Sequence, residues 1–101
     1  MRRAAKVDAN QPAIVEALRQ VGATVEPIHT LGRGVPDLLV GFRGANYVLE
    51  AKDGSQPPSR RCLTPDEEKW HAKWRGQKAV VSSVDEALQA IGAIEKYLEM
   101  T

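Results

Sequence analysis

The chain is predicted to be an α/β domain, a mixed sheet flanked by helices, and three features of the sequence predict it. Apolar residues near the start repeat with helical spacing. Two apolar runs in the middle are joined by a turn too short to let them do anything but pair antiparallel. Two capping boxes bracket a Val-rich run near the end, so a helix separates that run from the earlier strands.

The elements follow in order. Ile14, Leu18 and Val21 recur at i, i+4 and i+7 with Ala13 and Ala17 beside them, which predicts a helix over residues 10–22. Gly22 stops it, Asn10 or Asp8 caps it, and Pro12 is tolerated only in its first turn. Residues 23–30, with Thr24, Val25 and Ile28, have strand character, and Pro27 assigns them to an edge or a bulge. After the Gly32-Arg33-Gly34 break, residues 36–42 read as a strand covered on both faces, residues 43–46 as a tight turn and residues 47–52 as the next strand. Gly54, Pro57 and Pro58 make residues 53–61 a loop. Thr64-Pro65-Asp66-Glu67 opens a helix that ends near Gly76, residues 78–82 form a strand, and Ser83-Val84-Asp85-Glu86 opens a last helix running to about Glu99. A helix between the third and fourth strands implies a parallel, right-handed crossover.

Composition narrows the function. At 101 residues and 43% hydrophobic the expectation is a single domain over residues 1–101, with the basic stretch 1–9 fraying. A net charge of +1 excludes a protein that coats nucleic acid by bulk electrostatics, so polyanion binding must be local. Arg2, Arg3 and Lys6 form one basic cluster, and Arg60 and Arg61 with Lys52 form another. Cys62 is the sole cysteine, which excludes an internal disulfide and a thiolate zinc site and fits a reducing cytoplasm. No apolar run approaches the roughly 18 residues of a membrane span, so no membrane partner is expected.

Against that ordinary background, Asp37, Glu50 and Lys52 stand at the ends of two apolar strands. Alternation puts Glu50 and Lys52 on one face of their strand. Antiparallel pairing sets the start of one strand across from the end of the next, which brings Asp37 toward both. Two carboxylates, a backbone carbonyl and waters suit the octahedral oxygen shell of Mg²⁺ or Mn²⁺, and a phosphate oxygen can complete it. Lys52 then fits the part of electrostatic stabiliser better than that of base. The plainer alternative is an ion pair of Lys52 with Glu50 or Asp37 at a sheet end.

Pro36-Asp37 followed by Glu50-Ala51-Lys52, with twelve residues between Asp37 and Glu50, resembles the PD-(D/E)XK nuclease pattern. Gly34-Val35-Pro36-Asp37-Leu38, the Glu50-Ala51-Lys52 strand, Leu63-Thr64-Pro65 and Trp70-His71 look like the small stand-alone VRR-NUC proteins of phages and bacteria, over roughly residues 8–90. That resemblance implies a restriction-endonuclease-like αβββαβ core. It implies a metal held by Asp37, Glu50 and the carbonyl of Ala51, with Lys52 completing the site. It further implies a homodimer acting on branched DNA, as Holliday junction resolvases do, in a bacterial or phage-infected cytoplasm.

Many relatives carry an acidic residue on the first helix facing the metal. Glu16 is the obvious counterpart, but helical geometry turns it toward water and turns Gln11 toward the buried side, so Gln11 is the first-helix residue expected to reach the site. A hydrogen bond at the helix start is its plainer role. Glu67 stands where relatives often carry Gln, and capping alone accounts for it. Arg33, Arg60 and Arg61 are the expected phosphate contacts. Trp70 and Trp74, at i and i+4, read as packing rather than a base-stacking platform. His29 and His71 have no ligand-spaced partner. The functional expectation is a Mg²⁺- or Mn²⁺-dependent endonuclease on structured DNA, with a non-catalytic DNA-binding or assembly module of the same fold as the rival.

Overall fold

A computed structural model describes residues 10–100; residues 1–9, with the Arg2, Arg3 and Lys6 cluster, and Thr101 lie outside the described residues. The elements are α1 (Gln11–Gln20), β1 (Thr24–Pro27), β2 (Leu38–Phe42), β3 (Ala45–Ala51), α2 (Pro65–Lys73), β4 (Gln77–Val81), α3 (Val84–Ala90) and α4 (Ile94–Glu99), with 3₁₀ turns at His29–Leu31 and Pro58–Arg60. Within the described residues the strands form one mixed sheet in the order β1-β2-β3-β4. The first three strands run antiparallel, and β4 lies parallel to β3 after the α2 crossover. This is the α/β arrangement expected from the sequence. No helix among the described residues is long and apolar enough to cross a membrane.

The two faces of the sheet are covered differently. Val25, Leu38, Val40, Phe42, Leu49, Ala51 and Val81 alternate onto one face and meet Ile14, Ala17 and Leu18 of α1, Val21 just after it, and Ala87 and Leu88 of α3. The other face carries Leu39, Val48, Glu50, Lys78 and Val80, and among the described residues α2 reaches it, with Lys78 donating to the His71 and Trp74 carbonyls. Leu39 is 40% exposed, so β2 is not covered on both faces as its continuous apolar run suggested.

Local chemistry explains where other boundaries moved. Phe42 pairs with Ala45, so the hairpin turn is the two residues Arg43-Gly44 rather than four, and both have positive φ (50° and 80°), the backbone that matches strand twist. Asn10 stands at the helix cap without capping: its side-chain amide donates instead to the carbonyls of Lys52 (2.9 Å) and Ser82 (3.0 Å), clipping α1 to the ends of β3 and β4. The last helix is two. Gly92 at φ 75° lets its N–H reach the Gln89 carbonyl (3.0 Å) while Ala93 N–H reaches Leu88 (2.8 Å), the paired closure that also ends α1 at Gly22. Ile91 and Ile94 keep apolar spacing across that break, which hid it. The second capping box also differs: Ser83 accepts from Glu86 N–H (3.1 Å), but the Glu86 carboxylate accepts from Ser82, not Ser83.

Candidate active site

Ladder pairing of β2 with β3 begins at Leu38–Leu49, one step after Asp37, so Asp37 stands just outside the sheet beside Glu50 and Ala51. Pro36, fully buried, anchors the approach. The Asp37 main-chain carbonyl accepts from Ile28 (2.7 Å), while its carboxylate Oδ2 accepts the Ala51 N–H at 2.8 Å. That carboxylate replaces the acceptor a longer strand would have supplied, and the bond fixes its direction.

Glu50 points to the face opposite Leu49 and Ala51 and is 3% exposed. Burial first, then the neighbouring Asp37 carboxyl, push its pKa up to about 9; Glu67 adds to the rise and Lys52 opposes it. Its Oε1 is buried with no hydrogen-bond partner among the described residues. Lys52 Nζ stands 3.7 Å from Glu50 Oε2 and 2.8 Å from Glu67 Oε1. The ion pair considered as the plain alternative therefore exists, but its close partner is Glu67, and Glu50 is left with an unspent oxygen.

Glu67 does more than its capping pattern announces. Its Oε1 accepts both the Thr64 N–H (2.8 Å) that completes the capping box and the Lys52 ammonium, so one carboxylate fixes the start of α2 and the position of Lys52. Burial pushes the Glu67 carboxyl up, but the hydrogen bond from Lys52 and that from the Thr64 backbone outweigh it, leaving Glu67 below its usual pKa. The signal was Glu67's reach back toward the preceding loop; a box read only as a cap concealed the second contact.

Two carboxyls held together, one of them dry and with an unmatched oxygen, form a donor set that fits a hard divalent cation. Asp37, Glu50 and the Ala51 carbonyl are the residues that could hold it. No group of three or more His, Cys, Asp or Glu side chains arranged for a metal occurs among the described residues, so water and substrate oxygens would fill the remaining positions.

The other expected residues are placed as follows. Gln11 is buried, and its Oε1 has no partner among the described residues, but it sits on the α1 side of the sheet and no hydrogen bond joins it to Asp37, Glu50 or Lys52. Glu16 is exposed, as helical geometry required. Arg33 is exposed in the Gly-rich loop. Arg60 ends the 3₁₀ turn in solvent and Arg61 follows it half-buried, without a contact to the carboxylate pair. His71 is the buried residue of α2, its pKa lowered by burial and then by Lys78, whose ammonium donates to the His71 carbonyl. The tryptophan rings stack on each other at 4.8 Å with 18° between planes, yet Trp74 is 42% exposed, so the pair is not core packing.

No family model and no curated protein matches the chain. Among solved structures the chain is similar to one described as a VRR_NUC domain, at 28% identity and a TM-score of 0.62, covering 81% of this chain and 89% of that one. This likeness supports a VRR-NUC domain protein, and the placement of Asp37, Glu50 and Lys52 is consistent with the PD-(D/E)XK arrangement.

Proposed function

We propose, taking the chain as a VRR-NUC domain protein and hence a nuclease-type DNA-processing domain at the level of the family, that it is a Mg²⁺- or Mn²⁺-dependent endonuclease acting on branched or structured DNA as a homodimer. The observation that carries the reading is the buried, unpartnered Glu50 oxygen beside the Asp37 carboxyl. Left alone, that juxtaposition costs stability; beside a divalent ion it becomes a ligand pair.

In the reaction, a water oxygen forms a bond to phosphorus, the bond from phosphorus to one sugar oxygen breaks, and the departing oxygen takes up a proton. The chemistry supplied by a bound cation is Lewis-acid neutralisation of the phosphate and a water of lowered pKa. Asp37 and Glu50 offer oxygen ligands, and the Ala51 N–H orients the first of them. Lys52, steadied by Glu67 and by the Asn10 clip on its carbonyl, presents an ammonium to the phosphate. Gln11 contributes through a water from the α1 side, and Arg60 and Arg61 contact phosphates further along the strand.

The second reading, a non-catalytic DNA-binding or assembly module, draws on the 2.8 Å Lys52–Glu67 pair, which occupies the ammonium that catalysis needs. One gel separates the two: four-way junction, flap, single-stranded and linear duplex DNA are incubated with wild type, Asp37→Ala and Glu50→Ala in Mn²⁺ and in EDTA. Cleavage of the branched forms by wild type alone, and only with metal, is expected. DNA binding that persists in EDTA without cutting in any metal would establish the module instead. Light scattering of the DNA-free protein tests the homodimer, which predicts a mass of two chains.

A further inference from the structure

A second feature of α2 lies on the helix that carries Glu67 and is not needed for holding a cation. Asp66, Lys69, Trp70 and Lys73 fall at i, i+3, i+4 and i+7 on one side of the helix, and together with Arg33 they line a cleft of about 280 Å³. Three cations against one carboxylate surround an indole. The volume lies near the lower limit of roughly 300 Å³ for small-ligand pockets, room for one base and not for a duplex. Trp74 stacks on Trp70 at 4.8 Å and steadies the ring.

The cleft is built at a cost, which is why it is read as more than a basic surface. Gly32, Arg33 and Gly34 have φ of 70°, 57° and 81°, a left-handed run in which Arg33 is the non-glycine member and carries strain. A Cβ on Gly34 would collide with the Asp66 carbonyl, so the loop backbone lies directly on the first turn of α2. That docking holds the Arg33 side chain at the cleft. Glycine at position 33 would relieve the strain and lose the charge.

Glu67, which grips Lys52, is on the same helix turn as this cleft, about 4.5 Å along the axis from Trp70 and around the helix from it. Lys52, which Glu67 holds at 2.8 Å, stands 3.7 Å from Glu50, so α2 carries both the cleft and a contact to the carboxylate pair. We infer that the cleft of Arg33, Lys69, Trp70 and Lys73 is a subsite for an unpaired nucleotide adjoining the cut phosphate, its base stacked on Trp70 and its phosphates held by the three cations. The inference rests on the nuclease reading for the nucleotide's place in the substrate, and it narrows that substrate to DNA with a frayed or single-stranded nucleotide beside the cut.

The chain has two tryptophans, so its indole emission reports on this pair alone. The wild-type protein in EDTA is titrated with an oligothymidylate of about ten nucleotides, with a blunt duplex and with polyglutamate. Quenching by the oligothymidylate at lower concentration than by the duplex, and none by polyglutamate, is the expected result. Trp70→Ala weakens single-strand binding about 5- to 100-fold while Trp70→Phe, which keeps a ring, restores most of it. Arg33→Gln/Lys69→Gln/Lys73→Gln lowers the slope of log affinity against log salt by about 2. Arg33→Gly weakens binding yet leaves the melting temperature equal or higher. Equal quenching by polyglutamate, or unchanged single-strand affinity in Trp70→Ala and the triple variant, overturns the subsite. If wild type cuts DNA while its emission stays unquenched, the subsite fails and the nuclease reading stands. If emission is quenched but no metal supports cutting, the nuclease reading fails and the subsite stands.

Discussion

The two faces of the sheet obey different rules. On the α1 and α3 side the inward positions are aliphatic, aromatic or alanine apart from the buried amide of Gln11, and Ile14, Leu18, Leu38, Leu49 and Leu88 are fully buried. On the α2 side the sheet presents two apolar residues about 40% exposed, Leu39 and Val80, and then buries a carboxylate next to another. The first face follows from the hydrophobic effect alone. The second sacrifices stability by burying one acidic group beside another where a ligand can exploit it, and the proposed site rests on that difference.

Substitutions on the two faces should therefore separate activity from stability. The largest effect expected is at Glu50. Glu50→Gln lowers Mn²⁺-dependent cleavage about a thousandfold, since the lost charge stabilisation is several kcal/mol, yet it raises the melting temperature of the cation-free protein at alkaline pH. The sign follows from the raised pKa. Glu50 is at about 9 in the fold against a usual 4.5, so its contribution is fully present below pH 4.5 and is lost as pH rises through 9; the variant's stability curve over that window is flatter. Cleavage assays beside thermal melts at several pH values check both halves. Next is the core face, where Leu18→Ala costs about 2–5 kcal/mol, against less than about 0.5 kcal/mol for Leu39→Ala on the open face. Similar losses at the two positions in urea melts would erase the contrast.

Much of this was legible in the sequence because period and turn chemistry are local. Ile14, Leu18 and Val21 announced α1, Thr64 to Glu67 announced α2, and the short turn after Phe42 forced the pairing that carries Asp37 to Glu50. What stayed hidden depends on contacts distant in the chain. Asn10 reads as a cap, and only the ends of β3 and β4 reveal it as a clip across 42 and 72 positions. Glu67 reads as a complete capping box, so nothing local asks for a second partner. Leu39 belongs to a continuous apolar run, and its exposure follows from which face α2 leaves uncovered. The docking of Gly34 on Asp66 is likewise visible only once the crossover has brought α2 over the loop.

Smaller effects refine the comparison on the α2 side. Glu67→Gln keeps the reciprocal cap, because a glutamine can make the same bond to Thr64, but it removes the negative charge 2.8 Å from the Lys52 ammonium; stability falls by about 1 kcal/mol or less, and cleavage changes more than the melt does. Urea melts paired with single-turnover cleavage measure that ratio. The smallest shift expected is at His71, whose lowered pKa makes its contribution full above about 6.5 and lost as pH falls through the folded value. His71→Gln therefore flattens the acid side of the stability curve and leaves the alkaline side, governed by Glu50, unchanged. Thermal melts between acid and neutral pH read this directly.

The central claim is that Asp37 and Glu50 are paired to share a divalent cation, and calorimetric titration of Mn²⁺ into wild type and Glu50→Gln near neutral pH tests it most directly. Wild type should bind the cation and release a proton as it does, seen as a heat that changes with the buffer's ionisation enthalpy, because Glu50 must give up its proton to become a ligand. Glu50→Gln should show neither the tight binding nor the proton. Equal affinity in both proteins, or binding by wild type with no proton released, contradicts the account.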